Sequence, residues 1–276
     1  MKWALSLVFV ICSSAAISAE SPADSQNLVS NNDEDAKNLA SDTQEQEGPR
    51  LPSSIWLLGA QYGKLSSIYK DTDDEQGPMP IVAYLGKHVF WKGYELGYQI
   101  NPMGSPQNML FAVDVMAYEV DLGDSDDADM ALLNERDASV MASFAYQYGP
   151  AQLKLSHDIA NEHNGYSVDL GIKHKYDFKP FEIEMALAVI YQDKKLSNHL
   201  YGVSQSESDL TSGNIAAYDA KASQVSKLGV TLNYALTQNA KLALELGRNQ
   251  YFKVDSSPIV EEDISFGSKM SFIYLF

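Results

Sequence analysis

Cysteine occurs once in these 276 residues, at Cys12, so no disulfide framework can be drawn, and downstream of it neither a thiol nucleophile nor a thiolate metal site is available. Basic residues are scarce. Lys and Arg number 20 against 37 Asp and Glu, a formal net charge of −17. A surface of that sign repels nucleic acid and anionic lipid headgroups; cationic solutes, divalent ions or basic proteins are the compatible partners. After the first nineteen residues no stretch stays apolar for the roughly 18 to 20 residues that a spanning helix requires. If the chain enters a bilayer, it does so as strands.

Residues 1–19 carry one lysine, Lys2, then an apolar stretch from Trp3 and small residues ending in Ile17-Ser18-Ala19, the layout of a secretory signal peptide with cleavage expected after Ala19. A lipoprotein signal places a small residue before its cysteine. Ile11 stands there instead, so Cys12 is expected to leave with the leader. Residues 20–50 hold eight acidic and two basic residues and no aromatic one. Such a segment cannot bury enough apolar area to offset its ordering entropy, and a disordered acidic periplasmic tail is expected.

Aromatic residues and period-two alternation begin after residue 50, and residues 51–276 are expected to form the folded domain. Ile264, Phe266, Met270, Phe272, Tyr274 and Phe276 alternate with Ser265, Gly267, Lys269 and Ser271. Leu228, Val230, Leu232, Tyr234 and Leu236 alternate with Lys227, Gly229, Thr231 and Asn233. The same period recurs in residues 138–148, 151–159, 166–178, 181–191 and 240–252. A soluble antiparallel sandwich also alternates, but these segments exceed its usual five or six residues, and their aromatics gather near segment ends as an interfacial girdle does. The pattern predicts an all-β, outer-membrane antiparallel barrel, embedded in outer-membrane lipid and lipopolysaccharide. Phe272, Tyr274 and Phe276 resemble the terminal signal read by the barrel insertion machinery.

Connections sort the two ends. Gly149-Pro150, Phe178-Lys179 and residues 237–239 are tight, whereas residues 122–136, 193–224 and 253–263 are long; barrels of this class keep short turns in the periplasm. Counting back from Phe276 gives ten strands if residues 80–100 form one bent strand, and twelve if Gly86-Lys87 is a hairpin turn. The inward face carries charges of both signs: Lys154, Asp158, Asp169, Lys173, Lys175, Glu182, Glu184, Lys227, Lys241, Glu245 and Lys269. They predict either a salt-bridged plug of side chains or a narrow polar pore. With Phe178-Lys179 as a two-residue loop, Lys175 stands opposite Glu182 and Lys173 opposite Glu184.

Tyr201-Gly202-Val203-Ser204, followed by Ser212-Gly213 and Ala217-Tyr218-Asp219, and then Asp255-Ser256-Ser257-Pro258-Ile259-Val260, resemble motifs of the MltA-interacting protein/OmpV family of outer-membrane proteins. The likeness extends over most of residues 55–276. It departs from the family at the extra serine before Pro258 and in the acidic tail. This resemblance implies no catalytic residues. It implies either a scaffold that joins a lytic transglycosylase to a peptidoglycan synthase, or a porin or osmotically regulated surface protein. By strand parity both motifs belong to the extracellular rim, and mutual contact is expected.

Sites for chemistry are few. His157-Asp158 with Glu162-His163 has the residue types of a metal or catalytic cluster, but the register points His157 to lipid and Asp158 inward. His88, His174 and His199 are isolated in sequence, and no serine sits in a Gly-x-Ser-x-Gly context, so a hydrolase is the weaker alternative. Asp121, Asp124, Asp126, Asp127 and Asp129 have the composition of a calcium loop without EF-hand spacing. A solvated acidic loop, open to divalent ions that bridge lipopolysaccharide phosphates, is expected.

Overall fold

The computed structural model describes residues 54–102 and 105–276. The expected signal peptide and acidic tail lie outside the described residues. Twelve antiparallel strands close into one barrel: β1 (Ser54–Leu65), β2 (Glu75–Gly86), β3 (Val89–Lys92), β4 (Glu95–Gln99), β5 (Gln107–Ala117), β6 (Ser139–Tyr148), β7 (Ala151–Asp158), β8 (Tyr166–Phe178), β9 (Phe181–Gln192), β10 (Ser223–Ala235), β11 (Ala240–Phe252) and β12 (Ile264–Leu275). Each strand pairs with its neighbours in sequence, and β1 pairs with β12 from Leu57 opposite Leu275 to Leu65 opposite Gly267. Of the two strand counts the sequence allowed, twelve is correct. The turn that decides it is Lys87-His88, one residue beyond the dipeptide expected.

The alternation is turned inside out relative to a soluble protein. Leu58, Phe111, Leu170, Ile172, Leu187, Leu246 and Met270 point outward and are exposed, whereas Glu184, Asn249, Ser265 and Ser271 point inward and are buried. An apolar band running round the whole wall far exceeds what a soluble monomer exposes and is what a barrel in hydrocarbon requires. Aromatics border it on both sides. Trp56, Trp91, Phe178, Phe181, Tyr234, Tyr274 and Phe276 mark the short-turn end, and Tyr62, Tyr166, Phe252 and Phe266 the long-loop end. Trp56 packs on Tyr84 at 5.0 Å and edge-on to Trp91 at 6.5 Å. Among the described residues no helix is long and apolar enough to cross a membrane.

One register differs from expectation. The β8–β9 loop is Lys179-Pro180, because Phe178 itself pairs with Phe181, so Lys175 faces Glu184 and Lys173 faces Ala186. A displacement of two residues keeps every side chain on its expected face while changing its partner. Lys175 Nζ lies 3.2 Å from Glu184 and 3.3 Å from the diagonal Glu182. The expected pairing of Lys173 with Glu184 is absent. Lys269 and Glu245, direct partners on β12 and β11, pair likewise at 2.7 Å, so these ion pairs tie neighbouring strands along the inner wall.

The seam that closes the barrel depends on a close backbone approach. A Cβ on Gly59 would lie 2.1 Å from the Phe272 carbonyl oxygen, whereas one on Gly63 meets nothing nearer than 3.8 Å. Gly59→Ala is therefore expected to lose most of the heat-modifiable, compact band on unboiled gels, and Gly63→Ala to retain it. Equal behaviour of the two variants contradicts this account of the seam.

Candidate functional site: a folded cap over the barrel mouth

The loop end is closed by a small domain made from the connections 66–74, 118–138, 193–222 and 253–263. Loop 193–222 folds because its residues cap two helices. Asp193 accepts from the Leu196 N–H and starts α1 (Lys194–Tyr201). Ser204 and Glu207 form a reciprocal capping box on α2 (Gln205–Leu210), which satisfies donors that a helix start leaves open. Two apolar clusters join the loops. Ile68, Leu196, Leu200, Tyr201, Ala220 and Val254 form one; Leu122, Met130, Leu133, Val203, Ile215 and Ile259 form the other.

The family motifs are the joints of this cap. Tyr201 ends α1 and is 3% exposed. Gly202 has no room for a side chain, since a Cβ would lie 2.4 Å from the Asn198 carbonyl oxygen. Val203 and Tyr218 exchange backbone hydrogen bonds of 2.9 and 2.8 Å, and Ser204 caps α2. From the second motif, Ser257 Oγ donates to the Tyr201 carbonyl at 2.7 Å. Ile259 is fully buried and its carbonyl accepts from the Lys70 N–H at 3.0 Å, while Val260 bridges to Tyr69. Asp255 is exposed, and Pro258 sits half-buried beside Ile259. The two motifs thus meet.

An ion pair absent from the sequence argument locks the cap. Arg136 donates through Nη1 to Glu207 Oε1 at 2.7 Å and through Nη2 to the Gly202 carbonyl at 2.8 Å, with both side chains under one-tenth exposed. Burial alone would raise the Glu207 pKa; the Ser204 N–H and the Arg136 guanidinium outweigh it and hold the carboxyl below its ordinary range. The capping-box spacing of Ser204 and Glu207 was the available signal for this glutamate. Nothing in the sequence marked Arg136, which reaches it across 71 residues.

His157 and Asp158 lie on the faces that the register predicts, but His199 does not stand alone. His157 faces outward and His174 lies on the lipid face against Tyr176, while His88 stacks on Tyr98. Asp158 is 1% exposed and accepts the backbone N–H groups of Ala160, His163 and Asn164 at 2.8–2.9 Å. It shapes the loop 159–165. His199, isolated in sequence, lies with its ring 5.1 Å from that of His163, and the Nε2 atoms of both are buried without a hydrogen-bond partner. His163 Nδ1 accepts from the Gly165 N–H at 2.8 Å, so its proton sits on Nε2. Burial lowers both histidine pKa values; His199 adds to the effect on His163, and Arg136 to that on His199. No group of three or more His, Cys, Asp or Glu among the described residues is arranged to hold a metal ion.

The acidic loop likewise builds structure. Asp121 accepts the Gly123 N–H, and Asp127 accepts that of Asp129 and pairs with Lys70. Asp129 accepts from Asn214 of the neighbouring loop at 3.0 Å. Phe272, Tyr274 and Phe276 all face outward at the short-turn end of the wall.

The sequence profile described as MltA-interacting protein MipA matches residues 58–276. The chain belongs to that family. It is 25% identical over 213 residues to the putative outer membrane protein YiaT of Escherichia coli O157:H7, covering 75% of this chain and 85% of the relative. To the MltA-interacting protein of Escherichia coli strain K12 it is 27% identical over 155 residues, 55% of this chain and 62% of the relative. Solved structures similar to it include an outer membrane channel from Pseudomonas putida F1, at 12% identity and a TM-score of 0.40 over 86% of this chain and 100% of that one. Neisserial surface protein A matches at 12% identity and a TM-score of 0.26, over 80% and 96%. The family match thus extends through every cap loop and both motifs.

Two outcomes follow from the cap's chemistry. The open cap takes up protons on His163 and His199 near their usual 6.5, and the closed cap only at lower pH. Closure is therefore fully stable above pH 6.5 and weakens as pH falls below it. Glu207, shifted down, contributes above its usual value near 4.3 and loses that contribution as pH falls further. Proteolysis of the loops in reconstituted barrels should rise in these two stages, and the double variant His163→Asn, His199→Asn should lack the first. Arg136→Met leaves Glu207 buried and unpaired, a loss of about 3–5 kcal/mol. It should expose the loops to protease at neutral pH while the barrel stays heat-modifiable.

Proposed function

We propose that this protein is a non-catalytic scaffold of the outer membrane, which brings a lytic transglycosylase, and with it a peptidoglycan synthase, to the inner face of the membrane. The observation that carries this reading is the cap. Four loops joined by buried apolar clusters cover the mouth, and charges of both signs pair along the inner wall beneath it, an arrangement suited to a platform and poor for a general pore. Membership in a family named for interaction with MltA supports the choice of partner class. The buried polar groups of the cap, Asp158 and Glu207 above all, already accept backbone hydrogen bonds, which suits a structural role over a catalytic one.

The short turns at the opposite end offer little area beside the roughly 800 Å² per partner of a standard interface. The acidic segment 20–50 is then the element through which a basic periplasmic partner is recruited, by weak contacts that salt screens.

Two measurements test this. In planar bilayers the intact protein should give no stable conductance steps, and a variant with residues 194–220 replaced by a short Gly-Ser linker should give them. A lytic transglycosylase should co-purify from detergent extracts at low salt, and should be lost at high salt or on deletion of residues 21–47. Steady conductance by the intact barrel, with partner recovery indifferent to salt and to the deletion, contradicts the scaffold and favours a solute channel.

A further inference from the structure

The barrel wall has an opening. β2 pairs with β1 along its whole length but with β3 only at Ala83, Tyr84 and Leu85. Across the same hairpin, β4 begins at Glu95 opposite Asp114, and the Val115 N–H donates to the Tyr94 carbonyl. Among the described residues no strand pairs with the β3-side edge of residues 75–81, or with β5 above Val115 on its β4 side. Above the turn at Gly93 and Tyr94 the two flanks therefore stand apart.

The sequence is built for this edge. The Val82 carbonyl accepts from the Gly93 N–H at 3.4 Å, so the even-numbered peptide groups of β2 point toward β3. Pro78 and Pro80 lie on that series, and a proline has no N–H to leave unpaired. In hydrocarbon an orphaned donor is costly, so prolines are the residues that an open edge there tolerates best. The level is within the membrane: Pro78 and Pro80 stand opposite Tyr62 and Ala60 of β1, and Val115 on the far flank is an exposed apolar residue.

Behind the opening lies a cavity of about 330 Å³, lined from Tyr69 and Tyr201 at the cap down to Leu110 and Gln152 near the short turns. Glu75 on the β2 flank, Glu95 below and Met116 and Glu119 on the β5 flank all line it, so both flanks of the gap border the cavity. Its body is lined by Phe90, Ala112, Ala188, Ile190 and Val225 together with the charged Lys154, Asp169 and Lys227, and Leu200 and Tyr201 of the cap form its roof. The size falls within the roughly 300–1,000 Å³ of ligand pockets. Glu75 Oε2, at the rim, is buried with no hydrogen-bond partner. The cap lies over the cavity on the loop side, and the exposed apolar Val115 sets the gap at the level of the bilayer.

We propose that the gap between β2 and β5 is a lateral portal, and that the cavity behind it binds a cationic amphiphile drawn from the bilayer. The apolar body lies along Phe90 and Ile190, and the ammonium head sits at the rim carboxylates of Glu75 and Glu119. Anionic amphiphiles meet the wrong sign at this rim. The inference does not depend on the scaffold reading.

The test uses the full chain in lipid nanodiscs with decylamine and decanoate as probes, each corrected for uptake by empty nanodiscs. Saturable binding of one decylamine per barrel is expected, at least about tenfold tighter than decanoate, since like charges in a recess oppose binding. Paired Ala112→Phe and Ala188→Phe, or Val225→Phe should the pair not fold, should abolish it in barrels that remain heat-modifiable. Glu75→Gln should shrink the preference for the amine. A disulfide between Thr72→Cys and Ser125→Cys, which are bridge partners in the cap, should leave the uptake rate unchanged. No saturable binding, equal affinity for decanoate, binding that survives a filled cavity, or uptake slowed by the locked cap would each overturn the proposal.

Discussion

A peptide group in hydrocarbon has no water to bond, so a chain that crosses a bilayer as strands must close its sheet on itself. That constraint organises this molecule. It sets β1 against β12, where Gly59 lets the two backbones approach. It turns the apolar side chains outward, and it confines the charges of Lys175, Glu184, Lys269 and Glu245 to a lumen where each meets an opposite charge. At the upper half of β2, where the edge is unpaired, Pro78 and Pro80 present no N–H, which eases the same constraint.

Above the membrane the constraint is lifted, and the loops fold as a soluble domain does, around their own apolar clusters. The cap has a different polarity logic from the wall. Its buried charges, Arg136 and Glu207, are tied to backbone groups as well as to each other, and removing either strands the other. Burial lowers the pKa of its histidines. The family motifs act here as structural joints: Gly202 for want of space, Ser204 as a helix cap, Ser257 as a tie to Tyr201, and Ile259 as the centre of a cluster.

The wall was legible in the sequence because lipid on one side and charge on the other impose a period of two, which propensity does not blur. Faces were therefore assigned correctly even for β8 and β9, where the pairing was displaced by two residues. Such a displacement is invisible to alternation, and only the turn, Lys179-Pro180, sets it. The β3–β4 hairpin was harder, since strands of four and five residues carry too little pattern to separate from a bend. Sequence located the cap motifs but not their chemistry. The Arg136–Glu207 pair and the His163–His199 contact join distant loops, and nothing local in either residue announces a partner. Pro78 and Pro80 drew no notice in the sequence, although proline suits a paired strand poorly; their place on an open edge gives the physical reason.

These loops form a packed lid, continuous with the wall, over the mouth of the barrel. Amide hydrogen exchange on the full chain in nanodiscs at neutral pH tests it most directly. The amides of Leu196, Val203, Tyr218 and Val260, all hydrogen-bonded within the cap, should exchange as slowly as those in the middle of β10 and β11. Exchange of these cap amides at the rate of an unstructured loop, beside a protected barrel, would contradict it.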